Sequence, residues 1–263
     1  MTVALLLPGM SLNATIFPTL PCPAVSVDFN TLVLGPDGAS PELTRRRMGV
    51  FVDLLDQRLA AMPAWAAEPR IVVAHSFGGM LALAWWLAHE GSGPARVDGM
   101  VLVATTAGPM FEAVRLRLPG TPLRVPFAPL LRMWNSPAVT QAAKRWFAGA
   151  VDRVEPVDFR SLSRPTDWSV DQAGWRGTDW RAMRSCRLAL EGFDVRDRLA
   201  GVSVPVVVLH GTEDSLFPLA LARDLAERLP NAELRAIDGA GHALPLTHGA
   251  DVARAVADLR QDE

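Results

Sequence analysis

Short, nearly continuous apolar runs alternate with longer amphipathic stretches along most of this chain. Residues 3–7, 70–75, 99–104 and 204–210 are dense in Val, Ile and Leu. Runs of that length and composition read as strands buried on both faces. Residues 24–29 and 232–237 are predicted as two further strands. Helices are predicted over 41–62, 78–90, 218–229 and 249–260. Pro41 opens the first of these, and Leu43, Val50, Phe51, Leu54, Leu55, Leu59 and Met62 form its apolar stripe. Alternation of this kind predicts a three-layer α/β fold, with about six parallel strands and helices on both faces.

The pattern breaks between residues 104 and 204. About a hundred residues stand where a simple crossover needs a dozen or so. They are rich in Arg and Pro and include Trp134, Trp146, Trp168, Trp175 and Trp180. The expectation is a helical cap over 107–183, inserted into a core built from 1–106 and 184–263. The stretch 119–129, flanked by prolines, is expected to be a hinge or loop. Over 112–187 there are twelve Arg and one Lys against seven carboxylates, a net charge near +6, while the whole chain carries −2. A basic lid over an acidic core suits an anionic ligand or an acidic protein. The same arginines also suit solvated helix faces, or pairing with carboxylates of the core. The tryptophans are packing residues first, with one or two available to line an acyl or aryl pocket.

The most specific chemical signal follows the run Ile71-Val72-Val73. Ala74-His75-Ser76-Phe77-Gly78 has small residues two before and two after a serine, at a strand-to-helix junction. A sharp turn there strains residue 76 and crowds its neighbours, which explains the small residues and exposes the hydroxyl as a nucleophile. The usual form has Gly where Ala74 stands. Gly79 lets the following helix pack close to the strand.

A serine hydroxyl needs a base, and the base needs an acid to orient it. The chain has five histidines. His75 adjoins the serine, but its side chain is expected to leave the turn in another direction. His89 suits a solvated helix end and His210 a strand end. His242 lies in the glycine-rich loop Asp238-Gly239-Ala240-Gly241-His242 after a strand, where catalytic side chains converge. It is the candidate base. Asp214, after the strand ending at His210, is the candidate acid; capping of its own loop is the plainer role, and Glu213 is a competitor. The order Ser76, Asp214, His242 is that of a nucleophile-elbow fold.

With these motifs the chain resembles the α/β-hydrolase superfamily, from its first strand to its last helix, with a cap inserted between. The resemblance implies a Ser76–His242–Asp214 triad. Leu5-Leu6-Leu7-Pro8-Gly9-Met10-Ser11 resembles the family's first oxyanion loop, with Pro8 in place of the usual His, and implies that the backbone N–H groups of Met10 and Phe77 bind the oxyanion. It also implies that the two antiparallel strands many relatives carry at the N-terminus are missing. Residues 194–199 resemble the usual lead-in to the acid strand.

The activity implied is a serine carboxylesterase acting on a small-molecule ester. Pro8-Gly9-Met10-Ser11-Leu12-Asn13-Ala14 resembles the oxyanion loop of pimeloyl-acyl-carrier-protein methyl ester esterases, which makes an acidic acyl carrier protein a candidate partner. Thioesterase, acyltransferase, perhydrolase or carbon–carbon hydrolase chemistry, and ligand binding with little turnover, stay open. A serine nucleophile argues against the haloalkane dehalogenases and epoxide hydrolases of the superfamily, which use Asp.

Composition narrows the rest. A net charge of −2 gives no general reason to expect nucleic acid. Cys22 and Cys186 stand far apart with neither metal-ligand nor disulfide spacing, so no metal, no cofactor and a reduced, cytoplasmic setting are expected. No basic leader precedes the apolar start, and no run approaches the roughly 18 apolar residues of a membrane span.

Overall fold

The computed structural model describes residues 2–10, 12–27, 32, 47–66, 69–109, 115–117, 124–126, 185–186, 188–190, 192–214 and 216–260. The strands are β1 (Val3–Leu7), β2 (Ala24–Ser26), β3 (Arg70–His75), β4 (Gly99–Val103), β5 (Arg115–Arg117), β6 (Arg124–Pro126), β7 (Val206–Gly211) and β8 (Ala232–Ile237). The helices are α1 (Met48–Ala60), α2 (Phe77–His89), α3 (Leu219–Arg228), α4 (Leu244–Thr247) and α5 (Gly249–Asp258). Six strands form one wholly parallel sheet in the order β2-β1-β3-β4-β7-β8.

Period-two alternation sorts the strand side chains between two cores. Leu5, Leu7, Val72, Ala74, Met100, Leu102, Val206 and Val208 face a cluster completed by α1, α2 and α3. Ala4, Leu6, Ile71, Val73, Val101, Val103, Val207 and Leu209 face the opposite cluster, closed by Val252, Ala255 and Val256 of α5. Both faces of the central strands are therefore dry, which explains their unbroken apolar runs. Helices α1 and α2 lock together through an edge-to-face pair, Phe51 on Phe77 at 5.3 Å between centroids. Asp56 of α1 adds polar links, accepting from Trp85 Nε1 at 2.7 Å and from His89 Nε2 at 2.8 Å. His89 is thus not simply solvated, as expected from its helix-end position; it ties two helices through a half-buried carboxylate.

Several element ends differ from expectation for local reasons. β2 runs over Ala24–Ser26, and the Val27 N–H still donates to the Leu6 carbonyl at 3.2 Å; residues 28–29 of the expected strand lie outside the described residues. β4 ends at Val103 because Ala104 turns to φ 47°. β7 starts at Val206, since Pro205 has no N–H for the ladder. Pro218 stands just ahead of α3 as its N-cap rather than inside it. Of the helix expected over 41–62, residues 41–46 lie outside the described residues. So does nearly all of the expected cap over 107–183, including its five tryptophans. Within it, β5 and β6 pair antiparallel, Arg115 opposite Pro126 and Arg117 opposite Arg124. Part of the expected 119–129 loop is therefore a strand, with Pro126 at its end where a missing donor is tolerated.

The strand order sets the location of the site. β2 lies on one side of β1, and β3 returns on the other. In an open parallel sheet this reversal of strand order, at the carboxyl ends of β1 and β3, is the usual ligand position.

Candidate active site

Ser76 stands at the carboxyl end of β3, directly before α2, with φ 53° and ψ −120°. A non-glycine residue in such a conformation costs on the order of 1–3 kcal/mol, which neighbouring contacts must offset. Its N–H donates to the Val103 carbonyl at 2.9 Å, and its carbonyl accepts from Thr105 Oγ1 at 2.7 Å and from the Gly79 N–H at 3.0 Å. The small residues beside it are required by close approach. A methyl group on Gly78 would collide with the Leu7 and Pro8 carbonyls, and one on Gly79 would stand 2.6 Å from the Thr105 side chain.

A continuous hydrogen-bonded chain runs from this serine. His242 Nε2 lies 3.0 Å from Ser76 Oγ, and His242 Nδ1 lies 2.8 Å from Asp214 Oδ2. With Nδ1–H donating to the carboxylate, Nε2 carries the lone pair facing the hydroxyl. The other oxygen of Asp214 accepts the N–H groups of Leu216 at 2.9 Å and Phe217 at 2.8 Å. Burial alone would raise the Asp214 carboxyl, but the charge on and hydrogen bond from His242 hold it below its ordinary value. Phe217 also packs edge-on against His242, ring centroids 5.0 Å apart. Glu213 is exposed, whereas Asp214 is buried against the imidazole.

These residues follow three strands, β3 and the neighbouring pair β7 and β8. Gly211 of β7 pairs with Ile237 of β8, so the loops carrying Asp214 and His242 leave the sheet side by side. They touch closely: a side chain on Gly211 would strike the Ala240 carbonyl, and the Glu213 N–H donates to that carbonyl at 2.9 Å. Gly239, at φ 68°, makes the first turn after β8. Met10 lies in the turn after β1, closed by the Leu12 N–H on the Gly9 carbonyl at 3.0 Å. The same close approach at Gly78 presses this turn against the start of α2, where Phe77 begins.

Two histidines assigned no part from sequence are buried beside this chain. His210 Nε2 donates to the Phe217 carbonyl at 2.8 Å and lies 3.6 Å from Asp214 Oδ2. His75 Nε2 donates to the His242 carbonyl at 2.9 Å. Its side chain thus turns toward His242, not away from the site. The signal was present: a histidine inside a fully buried strand needs a hydrogen-bond partner. Among the described residues no cluster of His, Cys, Asp and Glu suits a metal ion, and no helix is long and apolar enough to cross a membrane.

A parallel sheet, a strained serine after its third strand and an imidazole–carboxylate pair on its last two loops mark the alpha/beta hydrolase family, and the chain belongs to it, the family model matching residues 4–255. Its relatives include esterases. It is 29% identical over 224 residues to a pimeloyl-acyl-carrier-protein methyl ester esterase of Chromobacterium violaceum, covering 84% of this chain and 79% of that one. A protein of the same description from Aromatoleum aromaticum is 44% identical over 82 residues, 31% of this chain and only 27% of that protein's length. The fold is also that of a bromoperoxidase from Bacillus anthracis, with a TM-score of 0.64 at 18% identity over 99% of this chain and 92% of that one.

Proposed function

We propose that this protein is a serine hydrolase of carboxylic esters, with Ser76 as nucleophile, His242 as base and Asp214 as acid. The observation that carries this reading is the unbroken contact series Ser76 Oγ–His242 Nε2–Asp214 Oδ2, at 3.0 and 2.8 Å. Ser76 Oγ attacks the ester carbon while His242 Nε2 takes its proton. The oxygen of the tetrahedral intermediate takes up negative charge and is met by the backbone N–H groups of Met10 and Phe77. Each such donor contributes on the order of 10²–10³ in rate. His242 then gives its proton to the leaving alcohol, and the acyl group stays on Ser76. Water, deprotonated by His242, releases the acid and restores the serine. Asp214 holds the Nδ1–H tautomer and stabilises the imidazolium without itself taking the proton.

The test is initial rates on p-nitrophenyl esters of graded acyl length, with Ser76→Ala as control. Turnover with a length optimum that disappears in Ser76→Ala is expected. Turnover that persists in Ser76→Ala assigns the chemistry elsewhere.

A narrower reading has its own support: 29% identity over 84% of the chain to a pimeloyl-acyl-carrier-protein methyl ester esterase, and the net positive charge of residues 112–187. On this reading the substrate is a methyl ester borne by an acidic acyl carrier protein, steered by the basic segment. Reversing several arginines of that segment then raises KM for the carrier-bound ester and spares small neutral esters. An equal effect on both contradicts steering.

A further inference from the structure

His75 is the last residue of β3 and sits next to Ser76, yet it points at the loop carrying His242. It is buried, at 1% exposure, and its ring lies 5.0 Å from that of His242 between centroids. We propose that His75 is a positioning residue, its Nε2–H holding the His242 carbonyl so that the imidazole is fixed to the same strand that bears the nucleophile. This rests on the reading of Ser76 and His242 as nucleophile and base.

The other main-chain ties that join the 238–242 loop to its neighbour after β7 lie upstream of the imidazole. The Gly239 N–H donates to Thr212 Oγ1 at 3.0 Å, and the Ala240 carbonyl accepts from Glu213 at 2.9 Å. Both hold the loop to the β7 side and act three and two residues before His242. The His75 bond at 2.9 Å acts on the main chain of His242 itself and comes from β3. Ser76 Oγ and the base are therefore both referenced to the end of one strand. Transfer across the 3.0 Å gap depends on that reference, because misplacement by about 1 Å costs on the order of 10²-fold in rate.

The ring is held on its other side as well. A methyl group on Gly9 would stand 2.9 Å from His75 Nδ1, so the turn that bears Met10 closes directly over the imidazole. Nδ1 is buried with no hydrogen-bond partner among the described residues. His75 thus stands between the Gly9 turn and the base loop and touches both. Burial, reinforced by the nearby charge of His242, lowers its pKa to about 3. It stays neutral and retains a single Nε2–H donor throughout the working range, adding no second positive charge when His242 becomes an imidazolium.

The deciding experiment compares kcat and KM for p-nitrophenyl acetate in the wild type, His75→Phe and His75→Gln, with Ser76→Ala as blank. Phenylalanine keeps the ring volume and loses the donor; glutamine keeps an amide donor at similar reach. His75→Phe is expected to lose about 10–100-fold in kcat with KM within about twofold, and His75→Gln to recover most of that loss. Equal losses, or a better Phe variant, would mean that His75 only fills space, and the proposal falls. If neither variant folds, labelled wild type decides. His75 as the Nε2–H tautomer, with a scalar coupling from its ¹⁵Nε2 to the ¹³C of the His242 carbonyl, supports the tie; an Nδ1–H tautomer or no coupling overturns it. Absence of Ser76-dependent turnover and of fluorophosphonate labelling in folded wild type would instead sink the underlying reading, and the coupling would still report on the tie.

Discussion

Individual side chains here are decided by where burial leaves their polar atoms. Glu213 and Asp214 are adjacent carboxylates with equal reach on paper; β7 turns Glu213 outward and sets Asp214 under His242 with two backbone N–H groups on its far oxygen. Asp214→Asn should therefore leave the fold intact but favour the wrong imidazole tautomer, lowering kcat by about 10³–10⁴-fold on p-nitrophenyl acetate. A near-neutral variant would mean that another acid serves His242. Acid sensitivity is a second consequence. His75 and His210 are both pushed down from 6.5 by burial, His75 to about 3. Between about pH 6.5 and 3 the unfolded chain binds a proton at position 75 that the folded chain does not. Stability therefore falls as pH falls, by up to about 1.4 kcal/mol per pH unit for each such group. Asp214, whose folded pKa is also depressed, adds a loss of the same sign at lower pH. Urea midpoints should drop from pH 7 to pH 5 in the wild type and drop less in His75→Gln. A wild-type midpoint that rises on acidification would contradict the buried neutral imidazoles.

Elements were legible where apolar runs are long, and boundaries where a residue's own chemistry dictates them. β1, β3 and β8 coincide with the expected ranges, because strands packed on both sides or pinned by flanking turn residues write their length into the sequence. β4 ends one residue early at the positive φ of Ala104, which alanine does not advertise. The elbow glycines carry opposite consequences from those of a solvated helix. Gly78→Ala drives a methyl group into the Leu7 and Pro8 carbonyls and should lower stability by about 1–3 kcal/mol or more, together with kcat. Gly49, near the start of α1, has open space where a Cβ would go, so Gly49→Ala should be neutral to stabilising, by up to about 1 kcal/mol. Denaturation midpoints of the two variants check both; equal effects would mean the elbow is less tightly packed than these contacts require.

For the molecule as a whole, a mostly parallel sheet of about six strands was readable from alternating runs, and the chain order of Ser76, Asp214 and His242 from motif spacing; that all six are parallel is the structure's addition. What could not be read is contact across the chain: β7 beside β8 brings two loops into touch, and β3 sends His75 across to a residue 167 positions away. Such contacts depend on strand order and register, and single-residue patterns carry neither. The same strand order reduces the functional account to one claim, that an activated hydroxyl sits at the end of β3. The most direct measurement is labelling of the folded protein with a fluorophosphonate, followed by peptide mass mapping. One adduct is expected, on Ser76, lost in Ser76→Ala and strongly slowed in His242→Ala. An adduct on another residue, or none on folded protein, would contradict the claim.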